Sequence, residues 1–144
     1  MSKNAFSLMI STLSFYCFGY GFQRNAFGGF IGTESFFCQG FSQQDLLLWI
    51  YYLGYCIFTA SIASGSIGER CFLDVHLMYA LIVSGVIYPI TASWVWGDGW
   101  LYRMGVQEGS GAGAVHLLGG ILGLVGTYFV GSREGVFLNK KTID

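Results

Sequence analysis

Four stretches of the chain carry no Asp, Glu, Lys or Arg: Ala5–Gln23, Leu46–Gly68, Val75–Gly97 and Gly109–Ser132. A helix that crosses a bilayer needs roughly 17–25 mostly apolar residues, and each stretch is long enough. None alternates polar and apolar positions as a lipid-facing barrel strand would. Backbone groups in lipid must pair internally, so the pattern predicts four transmembrane helices. They are expected over residues 4–21, 46–66, 75–94 and 111–130. An outer loop, 22–45, rich in Gly, Phe and Ser, joins the first two and is expected to hold a short helical turn. A polar, basic tail, 131–144, closes the chain.

Local signals set the ends. Asp45 is expected to head the second helix, with Gly68, Glu69 and Arg70 closing it. Asp74 is expected to N-cap the third. Pro89 predicts a kink in that helix, with Ser84 and Gly85 leaving room for it. Trp94, Trp96 and Trp100 read as an aromatic anchor at the interface. Ser61 and Gly65 on the second helix, and Gly119 and Gly123 on the fourth, are four apart and predict close helix packing.

Composition sharpens the class. Only 10% of the 144 residues are charged, against about 25% in a soluble domain. With a mean hydropathy of +0.56, this is an all-α integral membrane protein whose first partner is the lipid bilayer. Soluble enzyme readings are excluded, and no nucleophile–base pair, metal cluster or phosphate loop is visible, so neither an enzyme nor a cofactor is expected. The net charge of −1 gives no reason to expect nucleic acid as a partner. Cys17, Cys38, Cys56 and Cys71 lie apart, without a CxxC pair, and read as small apolar residues. Residues 1–22 read as a helix rather than a signal peptide, because no small-residue cleavage site follows cleanly.

Lys3, Arg70, Arg133, Lys140 and Lys141 fall on one side of the predicted membrane, and Arg24 and Arg103 on the other. That bias puts both termini on the cytoplasmic- or matrix-equivalent side. The site candidates follow from depth and charge. Burying an ionisable group in the membrane costs several kcal/mol unless it has a partner or a polar cavity, so His116, inside the last apolar run, is a functional candidate. Glu108 stands at the mouth of the same run.

Several segments resemble the ammonium transporter/Rh family. The run Tyr55-Cys56-Ile57-Phe58-Thr59-Ala60-Ser61-Ile62-Ala63-Ser64-Gly65-Ser66-Ile67-Gly68-Glu69-Arg70 resembles that family's third helix. Ile87-Tyr88-Pro89 and Trp94-Val95-Trp96-Gly97-Asp98-Gly99-Trp100-Leu101 resemble its fourth helix and following loop. Glu108-Gly109-Ser110-Gly111-Ala112-Gly113 through His116, ending near Arg133, resembles the signature opening its fifth helix. Gly19-Tyr20-Gly21 and Phe30-Ile31-Gly32-Thr33 resemble its second helix and the loop after it. The resemblance implies a partial ammonium-transporter fold: the second to fifth helices of an eleven-helix, two-repeat protein that is usually a trimer.

By that resemblance, Trp96 matches a cation-recruiting tryptophan and Tyr55 the first gating phenylalanine. Glu108 matches an aspartate that orders the pore mouth, although glutamate is one methylene longer and a poor N-cap. His116 matches the first of two pore histidines. The chain's other histidine, His76, is expected far from it in depth, so the pair is not completed within the chain. Ser93 stands where many members carry histidine. These departures favour a non-transporting accessory or structural subunit of a larger membrane complex. The sequence does not select a membrane, although the short form would suit an organelle inner membrane such as the mitochondrial one, and the start at Met1 and polar end at Asp144 read as a complete small protein. The alternative is ammonium or ammonia transport through a channel completed by other chains.

Overall fold

The computed structural model describes residues 2–132. Arg133, Lys140, Lys141 and most of the expected tail lie outside them. Among the described residues, four helices are long and apolar enough to cross a membrane. They are α1, Lys3–Gln23; α2, Gln43–Ile67; α3, residues 73–96; and α5, Ala112–Val130. Gly97, Asp98 and Gly99 separate α3 from a single-turn helix, α4, Trp100–Arg103. At about 1.5 Å per residue, each long helix matches the ~30 Å apolar thickness of a bilayer.

The helix starts differ from those read in the sequence. Ser42, not Asp45, occupies the N-cap of α2. Its hydroxyl accepts the Asp45 backbone N–H at 3.2 Å, and the Asp45 carboxylate accepts the Ser42 N–H at 3.0 Å. This is a capping box, in which two otherwise orphaned N–H groups are satisfied reciprocally. The N-cap position of α3 is Phe72, which has no side chain to offer, and Asp74 falls in the first turn. There it favours the helix through the macrodipole instead.

Pro89 is accommodated by a widened turn. Proline cannot donate a backbone hydrogen bond, and its ring clashes with the carbonyl four residues earlier. Val83–Ile87, just before it, form a π turn in which the Tyr88 N–H reaches the Val83 carbonyl. Two further π turns occur, Phe15–Gly19 within α1 and Ala112–Leu117 at the start of α5.

α5 packs chiefly on α2, and α1 on the first half of α3. Glycine decides the first contact. A Cβ on Gly119 would lie 3.0 Å from the Ile62 Cβ, and one on Gly123 would lie 2.8 Å from the Ser66 hydroxyl. Gly65 has open space around it and Ser61 is exposed; both line a crevice between α1 and α2. The buried centre holds Phe15, Tyr20, Cys56, Tyr88, Ala92 and Val115. Large apolar side chains such as Leu47, Phe58, Leu124 and Phe129 point outward, as a lipid-facing surface requires.

The loop between α1 and α2 is tied down by backbone hydrogen bonds. The Ala26 N–H donates to the Gly97 carbonyl and the Trp100 N–H to the Gly29 carbonyl, both at 2.8 Å. Ser93 and Trp94 both donate to the Phe30 carbonyl. A short 3-10 turn, Phe36–Cys38, lies within this loop.

The α2–α5 contact gives a direct test. Gly119→Leu should cost about 1–3 kcal/mol through overpacking. Gly120→Leu, at an exposed position with nothing within 4 Å, should leave stability unchanged. Denaturant titration of both variants in lipid nanodiscs checks the difference.

Candidate functional site

The end of the bundle where α1 and α3 finish and α2 and α5 begin gathers three of the four candidates. The Tyr55 ring, a little over three turns into α2, lies 5.3 Å from the Trp96 ring at the end of α3, tilted by 31°. Tyr52 stacks near the same indole at 6.0 Å. The Trp96 Nε1–H donates to the Glu108 carbonyl at 2.8 Å, so the indole is fixed to the segment that leads into α5. The Tyr55 hydroxyl, a polar addition to the ring, is matched by the Tyr51 hydroxyl 2.9 Å away.

Glu108 acts at a distance from its own position. The residue at the N-cap of α5 is Gly111, in the left-handed region at φ +79°, where glycine avoids the Cβ penalty. Glu108 lies three residues earlier, and its carboxylate reaches over the turn to accept the Gly113 N–H at 2.9 Å. The extra methylene thus suits the distance. The other carboxylate oxygen, Oε1, is buried and has no hydrogen-bond partner among the described residues.

The same Gly111 organises His116. Its carbonyl accepts the backbone N–H of Val115 at 3.1 Å and that of His116 at 3.0 Å, the second closing a π turn. The His116 Nδ1 lies 3.1 Å from this carbonyl. A carbonyl only accepts, so this bond assigns the proton to Nδ1 and leaves Nε2 with the free lone pair. His116 is exposed on the side of α5. His76 lies at the opposite end of the bundle, buried in the first turns of α3, with neither ring nitrogen partnered among the described residues. The two histidines are therefore not brought together. Among the described residues, no three His, Cys, Asp or Glu side chains gather as metal ligands.

A family model described as Ammonium Transporter Family matches residues 1–143. The chain belongs to the ammonium transporter family. Ammonium transporter 3 of Dictyostelium discoideum is 30% identical over 136 residues, covering 94% of this chain and 32% of that protein. Ammonium transporter Amt2 of Archaeoglobus fulgidus is 34% identical over 150 residues, covering 95% and 32%. Ammonium transporter 1 member 4 of Arabidopsis thaliana is 38% identical over a shorter stretch of 103 residues. The chain thus spans about a third of the length of the first two relatives.

A second cluster lies at this same end of the bundle and was not read from the sequence. Arg24, at the C-terminal end of α1, forms an ion pair with Asp45 at the start of α2. It also reaches the Tyr20 hydroxyl at 3.4 Å. Burial works against the guanidinium's charge, but Asp45 and Tyr20 outweigh it and raise its pKa above the usual range. The only advance signal is the pair Gln23-Arg24, two polar residues ending an apolar run.

Removing the Glu108 reach should loosen the start of α5. Glu108→Ala is expected to cost about 1 kcal/mol, the size of a lost helix cap. Glu108→Gln keeps the length and an acceptor oxygen and should recover most of that. Amide hydrogen exchange at Gly113 and its neighbours reads the effect.

Proposed function

We propose that the chain forms the outer mouth and one wall of an ammonium or ammonia pathway, and conducts nothing until other polypeptide supplies the opposite wall. The placement of His116 carries this reading. An imidazole exposed on a membrane span is costly against lipid. Its Nδ1 is engaged by Gly111, which leaves Nε2 for a group from outside the described residues. The relatives named as ammonium transporters are about three times as long, which supports a missing opposite wall in the same product or in another.

Tyr55 and Trp96 offer aromatic faces to a small cation, an attraction of about 0.5–2 kcal/mol depending on desolvation. The buried Oε1 of Glu108 adds an acceptor near them. His116, five residues into α5, is the candidate for passing a proton or guiding neutral ammonia. Gly119 and Gly123 serve helix packing rather than the pathway, whereas Ser61 and Gly65, expected to pack likewise, line an open crevice. The whole chain acts as one membrane domain. The end bearing Lys3 and Arg70 faces the cytoplasm or an organelle matrix, by the bias of basic residues.

The second reading is a non-transporting accessory subunit of a larger membrane complex. The internal satisfaction of the mouth favours it. The Tyr55 hydroxyl, the Trp96 N–H and one Glu108 oxygen are all engaged within the chain.

Methylammonium uptake separates the two. The chain alone, expressed in uptake-deficient cells, should give background uptake only. Fused to the remaining segment of the Archaeoglobus relative, it should restore uptake, and His116→Ala should then reduce it about tenfold or more, at least ~1.4 kcal/mol of barrier. A fusion that inserts correctly yet stays silent would establish the accessory role, and one that conducts equally well after His116→Ala would overturn the part given to His116.

A further inference from the structure

A cavity of about 220 Å³ opens at the outer end of the bundle, on the side of Trp96 that faces α1. Tyr20, Gln23, Arg24, Tyr52, Trp96 and Asp98 line it. It is separate from the Tyr55–Glu108–His116 arrangement and shares only the Trp96 indole with it. Gln23 is the unusual member. It is 2% exposed, yet neither its amide oxygen nor its amide nitrogen has a hydrogen-bond partner among the described residues. Leaving a buried polar group unsatisfied costs about 1–3 kcal/mol, and Gln23 presents both a donor and an acceptor in that state. A ligand that only donates, or only accepts, satisfies half of it.

The charges beside Gln23 also come in both signs. Arg24 engages Asp45 and Tyr20 through one of its terminal nitrogens, Nη1. That leaves the second terminal nitrogen free to donate to an anionic group. Asp98 is exposed, and its carboxylate forms no ion pair among the described residues. Tyr20, Tyr52 and Trp96 add aromatic faces, beside Leu48, Asn25 and Gly97. We propose that this cavity is a binding site for a small zwitterion, a free α-amino acid. Its carboxylate is received by Arg24 and the Gln23 amide N–H, and its ammonium by Asp98 and the Gln23 amide oxygen. A small side chain rests against the aromatic wall, for which the cavity has room. The inference stands apart from the transport reading, because it uses neither Glu108 nor His116.

Radiolabelled L-alanine binding to the full chain in lipid nanodiscs tests it, with glycine as competitor. Saturable binding in the millimolar range is expected, displaced by glycine but not by methylammonium or acetate alone. Gln23→Leu is close in volume and removes the unsatisfied groups. It should weaken binding about tenfold while the melting temperature stays level or rises. Asp98→Asn guards against a misfolded Gln23 variant. Asp98 is exposed at φ +58°, a conformation that asparagine tolerates, and this variant should weaken binding several-fold through loss of the ammonium contact. Absence of saturable binding, or binding unchanged in either folded variant, overturns the proposal. Displacement by methylammonium as effective as by glycine overturns it too, because the cavity is then a simple cation site.

Discussion

Inside a bilayer, a carbonyl released from the α-helical ladder has no water to turn to. Three of the four spans contain π turns, which release such groups, and the tertiary structure is arranged around satisfying them. The wide turn before Pro89 is met by the Ser14 hydroxyl, which donates to the Leu81 carbonyl at 2.9 Å, and by the Cys56 thiol, 3.6 Å from the Ser84 carbonyl. The donors come from α1 and α2, so the irregularity in α3 becomes the point where three helices meet. In the π turn of α1, the Tyr16 carbonyl has the Cys38 thiol of the outer loop 3.9 Å away. At the start of α5, the Gly111 carbonyl takes up the His116 imidazole. In α1 and α3 the departure from helix geometry is coupled to a side chain from another segment, and in α5 to a side chain of the turn itself.

Hydrogen bonds also fix the mouth, whose Tyr52, Tyr55 and Trp96 rings pack on the buried core. Trp96 is held through its N–H to the backbone before α5, and Glu108 holds the first turn of α5 from three residues outside it. The outer loop is pinned to the end of α3 by the Ala26 and Trp100 backbone bonds, and to α2 by the Arg24–Asp45 pair. Exposed ion pairs contribute little, of order 0–1 kcal/mol. The value of this one is geometric: it fixes where α1 ends relative to where α2 begins. The cavity behind Trp96 is a consequence of that spacing.

The spans were legible in the sequence because absence of charge over about twenty residues is a signal that neighbours cannot mask. The widened turns were not. A π turn shifts the helical phase over five or six residues, too short a stretch for periodicity to register, and only Pro89 announced one of them. The caps were misread for a related reason. Asp45 and Asp74 are the charged residues nearest the helix starts, but the preceding residues, Ser42 and Phe72, take the N-cap position. At the mouth, Glu108 was singled out by its charge beside the last apolar run, whereas Tyr55 and the part given to Trp96 came from resemblance to family motifs; the structure brings the three side by side. The Gln23–Arg24–Asp45 cluster had no such guide, because its members meet only when a twenty-residue loop folds back on itself.

Glu108 shows why a substitution rule needs its geometry. Glutamate is a weak N-cap because its side chain is too long to fold back on the N–H groups two and three residues ahead. That rule applies to a residue at the cap position. Here glycine occupies the cap, in a left-handed conformation open to few other residues, and the carboxylate must span Gly109, Ser110, Gly111 and Ala112 to reach Gly113. A shorter acid at position 108 would fall short of that N–H by about one carbon–carbon bond, unless the loop moved inward. A tighter loop would pull the Glu108 carbonyl away from the Trp96 indole. The length of one side chain, the glycine at the cap and the fixed indole are therefore a single solution, and changing any one of them requires the other two to adjust.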